Sequence, residues 1–217
     1  MIIGFAGKAA SGKTTAAQHL APLLEGDALI IPMAMVLRDE VEAFLRGIDA
    51  AEYVPLVYGC QDDKLRLFSV DEGKALQQCP QWSSFIAEHA DIQDQPGKTV
   101  LSVRRILQWW GTEYRRAADP DYWTKAWERK VAGYNLQKVH ILVDDVRFVN
   151  ELQTLKNLGA RIVKIERPGV AAAGDHASET SLDAYRDWCQ VLLNDGSLEE
   201  FKQQVADLVK LFMTVSD

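Results

Sequence analysis

The octapeptide Gly7-Lys8-Ala9-Ala10-Ser11-Gly12-Lys13-Thr14 satisfies G-x-x-x-x-G-K-[ST] at every defined position. It constrains the fold more than any other stretch, because such a loop works only where a strand ends and a helix begins. Met1 to Ala6 is a short apolar run suited to a buried strand. Thr15 to Leu24, with Ala16, Ala17, Leu20, Leu23 and Leu24, has the spacing of an amphipathic helix. Gly7 and Gly12 let the backbone turn its N–H groups inward around phosphate oxygens, and the helix N-terminus adds a favourable dipole. These residues predict a nucleoside triphosphate held by Gly7, Ala10, Ser11, Gly12, Lys13, Thr14 and Thr15. Lys13 would reach the β- and γ-phosphates, and the Thr14 hydroxyl would hold Mg2+.

A chain of 217 residues that is 47% hydrophobic can bury a core as one domain, or as one domain carrying an insertion. Met1 to Ala6 lacks a basic leader, and the longest apolar run, Ala28 to Leu37, is broken by Pro32 and too short to span a bilayer. No membrane association and a cytoplasmic location are expected. Cys60, Cys79 and Cys189 are far apart and lack ligand spacing, so reduced structural thiols are expected. The formal net charge of −7 disfavours a broad nucleic-acid footprint while leaving room for a local basic cleft. A small anionic substrate is the easier partner. The six tryptophans make a homodimer a candidate assembly.

Further along, Ala28 to Ile31 reads as a second strand, and Met35 to Leu45 as a helix carrying Arg38 near its start. Residues 47–100 read as a partly helical insertion in an otherwise single domain, 1–217. Ser102 is a good N-cap for a helix whose Val103, Ile106, Leu107 and Trp110 form an apolar stripe. Beside that stripe Arg104, Gln108, Thr112 and Arg116 recur every four residues, a polar row about 18 Å long. Asp119-Pro120-Asp121 opens a helix through Val131. Val139 to Val143 is a third strand, ending in Asp144-Asp145, and Arg161 to Ile165 a fourth, followed by Arg167. Cys189 to Leu193 is a fifth, and Ser197 caps a final helix. Strands alternating with helices predict an α/β fold, with a mainly parallel five-stranded sheet, helices on both faces and ligands at the carboxyl ends of the strands.

Phosphoryl transfer is mostly positioning plus neutralisation of charge, so a kinase needs a metal-organising carboxylate near the phosphate loop and several cations around both phosphates. Asp145 is the stronger candidate for the carboxylate, as metal organiser or as partner of the acceptor, with Asp144 the weaker. Arg116, Arg147 and Arg167 would bracket the transferred phosphoryl.

The combination resembles the deoxynucleoside monophosphate kinases of tailed bacteriophages, which have a P-loop kinase fold. The matching pieces are the phosphate loop, the helix Arg104 to Gly111-Thr112-Glu113 with Arg116, Tyr122-Trp123, Asp145-Val146-Arg147-Phe148-Val149-Asn150-Glu151, Arg167-Pro168-Gly169 and His176-Ala177-Ser178-Glu179. The resemblance implies ATP- and Mg2+-dependent transfer of the γ-phosphoryl to a deoxynucleoside 5′-monophosphate, in the host cytoplasm for a phage-encoded chain. By that analogy Arg38, Arg104, Gln108, Thr112, Arg116, Asp145, Arg147 and Glu151 line the monophosphate side. Lys13, Asp145, Arg116 and Arg147 are the catalytic set, and Thr14 with Asp145 the metal set. Arg167, Asn194 and Gly196 lie near ATP, although a helix-capping turn explains Asn194-Asp195-Gly196 equally well. Residues 47–100 would help form the acceptor pocket, though Gly47 to Lys98 shows no pattern that aligns. Residues 168–182, with Arg167 at the base and His176 within, would be a closing lid.

Three rivals remain open. A related phage kinase acts on hydroxymethylated pyrimidine within DNA, and would need a basic channel with steep salt dependence. Dephospho-coenzyme A kinase is a small-molecule alternative, against which the Gly-Thr-Glu helix argues. A non-kinase P-loop ATPase would lack a second anion site.

Overall fold

A computed structural model describes residues 1–88, 93–169 and 180–213. The lid expectation falls largely at 170–179, including His176, outside the described residues. In chain order the structure opens with β1 (Ile2–Ala6), α1 (Lys13–Leu20), β2 (Asp27–Ile30) and α2 (Met35–Gly47). There follow α3 (Val54–Tyr58), α4 (Gln61–Leu65), β3 (Leu67–Asp71), α5 (Glu72–Gln78), α6 (Trp82–Glu88), β4 (Gln93–Gln95), β5 (Lys98–Ser102) and α7 (Val103–Gln108). After π-helical turns at Trp109–Arg116 come α8 (Tyr122–Val131), β6 (Val139–Val146), α9 (Val149–Asn157), β7 (Arg161–Glu166), β8 (Gln190–Leu193) and α10 (Leu198–Met213). The chain divides into two compact units, one formed by Met1–Met33 with Ala126–Asp217 and the other by Ala34–Lys125.

The first unit is built on a parallel sheet in the order β2-β6-β1-β7-β8. Its five strands are those expected from the sequence, in the same chain order. β1 is central, pairing Ile3 with Leu142 on one side and with Arg161 on the other. Its carboxyl end is therefore the point where connections diverge, the place where open α/β sheets bind ligands. Alternation along the strands decides which face each helix covers. Ile3, Phe5, Leu142, Val163 and Ile165 pack with Ala16, Ala17 and Leu20 of α1 and with Phe201, Val205 and Leu208 of α10. The opposite face carries α9. A Cβ on Gly4 would stand 3.0 Å from both Leu155 and Ile162, so the missing side chain is what lets α9 lie close there.

The second unit holds an antiparallel sheet in the order β3-β5-β4 among short helices. Leu67 pairs with Ser102 and Asp71 with Lys98. Most of the stretch read from sequence as an irregular, partly helical insertion is thus ordered secondary structure. β3 buries only Phe68 and Val70, too few alternations to announce a strand. Its partner lies some thirty residues away, so tertiary pairing decides its state. Phe44, Trp82, Phe85, Trp109 and Trp110 form the centre of this unit's core, with ring centroids 4.9 Å apart for Phe44–Trp82 and 4.5 Å for Trp82–Phe85. Trp123 and Trp127 are also buried, in keeping with core roles.

The expected continuous α-helix after Ser102 changes winding. Ser102 Oγ accepts from Arg105 N–H as an N-cap should, but at Trp109 the coil widens into π-helical turns. Two adjacent tryptophans, Trp109 and Trp110, are both buried here, and Gly111 admits α2. A Gly111 Cβ would stand 3.2 Å from Leu37 Cδ2. The row of Arg104, Gln108, Thr112 and Arg116 therefore runs over two different windings, with i→i+5 bonding in its second half.

Candidate active site

The phosphate loop joins β1 to α1 in the first unit. Gly7, Ala10 and Gly12 have φ of 144°, 58° and 109°, and such left-handed positions bend a loop into the concave nest that gathers backbone N–H groups. At Gly7 a Cβ would lie 2.4 Å from the Ile165 carbonyl oxygen and 2.8 Å from Ser11 Oγ. Gly7→Ala is accordingly expected to destabilise the protein by about 3 kcal/mol, read from the shift of the urea midpoint.

Lys13 is buried at 6% exposure, and its ammonium donates to the carbonyls of Gly7 (2.7 Å) and Lys8 (2.6 Å). The side chain therefore arches back over the loop. Two neighbours brace the loop from outside: Asn194 Nδ2 donates to the Ser11 carbonyl at 2.9 Å, and Arg167 Nη1 to the Ala10 carbonyl at 3.2 Å. Asn194 is itself fixed by its N–H on the Glu166 carbonyl. A Gly196 Cβ would stand 2.5 Å from Glu200 Oε2, which accepts from both Ser197 N–H and Ser197 Oγ at 2.7 Å, so Gly196 makes room for the cap of α10. Thr15, half-exposed, is the third residue of α1.

The two aspartates at the end of β6 differ sharply. Asp144 is buried, and its Oδ2 accepts the Thr14 hydroxyl at 2.6 Å. Its Oδ1 is buried and lacks a hydrogen-bond partner among the described residues, as does Ser11 Oγ. Asp145 instead accepts the Met33 N–H at 2.7 Å, fixing the chain as it leaves β2. The carboxylate beside Thr14 is thus the one ranked second from sequence. The signal was there to be counted: Leu142 lies on the α1 face of the sheet, and two residues on, period-two alternation puts Asp144 on that face.

Mg2+ fits this corner. It takes hard oxygen ligands, usually one or two from protein with phosphates and waters completing the shell, and a buried carboxylate oxygen without a partner stands beside a hydroxyl. Thr14 and Asp144 would hold it. Among the described residues no cluster of three or more His, Cys, Asp or Glu side chains is arranged as a self-sufficient metal site.

Arg147 follows β6, and Glu151 shapes its turn. Glu151 is 4% exposed, and its Oε2 accepts the N–H groups of Arg147 (2.8 Å) and Phe148 (3.1 Å) at the start of α9. Glu151, expected on the monophosphate side, is thus engaged with backbone. Arg147 lines a pocket of about 450 Å³ with Gly7, Lys8, Lys164, Arg167 and Trp188. Within it Lys164 pairs with Glu166 at 2.6 Å.

The remaining predicted residues, Arg38, Arg104, Gln108, Thr112 and Arg116, all belong to the second unit, and all are partly exposed. Arg104 Nη1 donates to Gln61 Oε1 at 2.7 Å, and Arg116 Nη1 to the Pro120 carbonyl at 3.4 Å.

A five-stranded parallel sheet with a phosphate loop at the end of its central strand, a loop lysine and a Thr–Asp pair define a P-loop kinase fold. Residues 48–205 match the deoxynucleotide monophosphate kinase family, and the chain belongs to that family. The match takes in 48–98, where the sequence alone shows no alignable pattern, and begins after the phosphate loop. A protein of Enterobacteria phage T4 named deoxynucleotide monophosphate kinase is 29% identical over 147 residues, 65% of this chain and 57% of its own length. The protein of the same name from Escherichia phage RB69 is 29% identical over 111 residues, 50% of this chain and 45% of its own. An uncharacterized protein, ORF77, of Ictalurid herpesvirus 1 (strain Auburn) is 37% identical over 95 residues, 42% of this chain and 41% of its own. The chain thus spans roughly half the length of these relatives. No described helix is long and apolar enough to cross a membrane.

Proposed function

We propose that the protein transfers the γ-phosphoryl of ATP to a deoxynucleoside 5′-monophosphate. An oxygen of the acceptor phosphate attacks the γ-phosphorus, the bond to the β,γ-bridging oxygen breaks, and ADP and the deoxynucleoside diphosphate leave. The acceptor phosphate is already ionised near neutral pH and needs no strong base, so the protein's work is charge neutralisation and alignment. The observation that carries the reading is the Thr14–Asp144 corner beside Lys13, in a chain of this family.

Lys13 neutralises charge on the β- and γ-phosphates, while Arg167 and Asn194 keep the loop from opening. Thr14 and Asp144 would hold Mg2+, which would supply screening of the phosphate charge. Asp145 keeps the chain after β2 in place. Arg147, held by Glu151, faces the transferred phosphoryl. Arg38, Arg104, Gln108, Thr112 and Arg116 recognise the acceptor.

Arg116→Ala is expected to raise KM for the acceptor by about tenfold, with ATP affinity unchanged. Loss of ATP affinity with the acceptor KM unmoved would reverse the assignment. The reading is tested by offering ATP and Mg2+ with each deoxynucleoside monophosphate and, separately, hydroxymethyluracil-containing DNA. Product on the monophosphate supports it, whereas product on DNA alone would replace it with a polymer kinase.

A further inference from the structure

Glu40 has no part in the scheme above, yet its carboxylate gathers three hydrogen bonds inside the second unit. Its place on α2 belongs to the stripe of Leu37, Val41 and Phe44, where an apolar residue would be expected. The side chain is 19% exposed. Oε2 accepts from Trp110 Nε1 and from Arg115 Nε, each at 2.8 Å, and Oε1 accepts the Tyr122 hydroxyl. The Arg115 guanidinium also lies over two rings, 4.5 Å from the Tyr114 centroid and 4.9 Å from that of Tyr122. Burial first, and then Glu40, raise the Tyr122 phenol above its ordinary pKa, so it stays a donor.

The spacing of the two donors to Oε2 is the informative detail. Trp110 and Arg115 are five residues apart. In an α-helix at 3.6 residues per turn, side chains five apart point about 140° away from each other. In the i→i+5 winding of Trp109–Arg116 they share a face. The π winding brings both donors to the side of one carboxylate oxygen, whereas the α winding would send them to sides about 140° apart. A partly buried carboxylate brings a desolvation cost that a leucine would not, so it is a poor device for stability alone and a good one for choosing between two registers.

We propose that Glu40 is a positioning residue that locks the π-helical register of Trp109–Arg116 and thereby sets the directions in which Thr112 and Arg116 are presented to the acceptor. This rests on the assignment of Thr112 and Arg116 to acceptor recognition. In the α register Thr112 and Arg116, four residues apart, would still lie within about 40° of each other, but both would be turned relative to Arg104, which is ahead of the π segment and stays where it is.

The test measures equilibrium binding of deoxynucleoside monophosphate and of ATP to the full chain, with steady-state KM and kcat, for the parent, Glu40→Gln and Arg115→Gln. Glu42→Gln is the control. Glu42 sits two residues on in α2, and its carboxylate takes Arg46 and Tyr58. Glu40→Gln is expected to weaken monophosphate binding and raise the acceptor KM by about tenfold or more, with ATP affinity unchanged. Arg115→Gln should move the same quantities less, and covers the case in which Glu40→Gln does not fold. Glu42→Gln should leave all of them alone. Parent-like monophosphate binding in both Glu40→Gln and Arg115→Gln, or parallel loss of ATP and monophosphate affinity, would overturn the proposal while leaving the kinase reading standing. Failure of the parent itself to bind any monophosphate would overturn both.

Discussion

Replacing Lys13 with methionine is expected to lower phosphoryl transfer by about a thousandfold, with the fold retained. The ammonium is already arched over the loop by the Gly7 and Lys8 carbonyls, so little rearrangement is needed before charge develops on the phosphates. Methionine keeps the length and packing of the stem but supplies no charge. Its stability cost should be modest, about 1–3 kcal/mol, because two loop carbonyls lose a donor. Rate and thermal midpoint measured on one preparation separate these effects. A variant that keeps more than about a tenth of the parent rate would deny Lys13 a part in neutralising the transferred phosphoryl.

The second large effect is expected at Asp144. Asp144→Asn removes the negative charge next to Thr14 and converts one of two carboxylate oxygens to an amide nitrogen, a poor partner for Mg2+. Transfer should fall by about a hundredfold, and the Mg2+ concentration for half-maximal rate should rise. Asp145→Asn is the matched comparison. Its amide oxygen can still accept the Met33 N–H, so the Mg2+ requirement should be unaltered. An Mg2+ titration of both variants decides the matter. The larger shift at Asp145 would return the metal role to the residue favoured from sequence.

The different partners of the two aspartates show where sequence is informative. The phosphate loop and the five strands were legible because their signals are local: short apolar runs, glycines that must adopt left-handed φ, and a helix that follows at once. The choice between Asp144 and Asp145 depends on which face of β6 meets α1, a long-range fact that becomes readable once Leu142 is known to lie on that face. Asn194 and Glu151 were noticed as site residues for contacts with ligand. Their visible partners, the Ser11 carbonyl and the N–H groups of Arg147 and Phe148, are backbone groups of the loop and the turn they support.

The second unit was less legible for a related reason. Its sheet joins β3 to β5 across intervening helices, and no local pattern specifies a pairing between segments that separate in sequence. The row of Arg104, Gln108, Thr112 and Arg116 was correctly noticed as polar, but a helical wheel assumes a single winding. The adjacent buried Trp109 and Trp110, the glycine that admits Leu37, and the acid at position 40 are tertiary circumstances that alter it. Glu40 could have drawn notice as a charge on an apolar stripe. Its partners could not.

The most direct measurement of the central claim follows the phosphoryl group itself. ATP labelled at the γ-phosphate is incubated with Mg2+ and each of the deoxynucleoside monophosphates, for the parent protein and for Lys13→Met. The account predicts label in the β-position of at least one deoxynucleoside diphosphate, formed in equal amount with ADP and lost in the variant. Label released as inorganic phosphate with none on any monophosphate would contradict it.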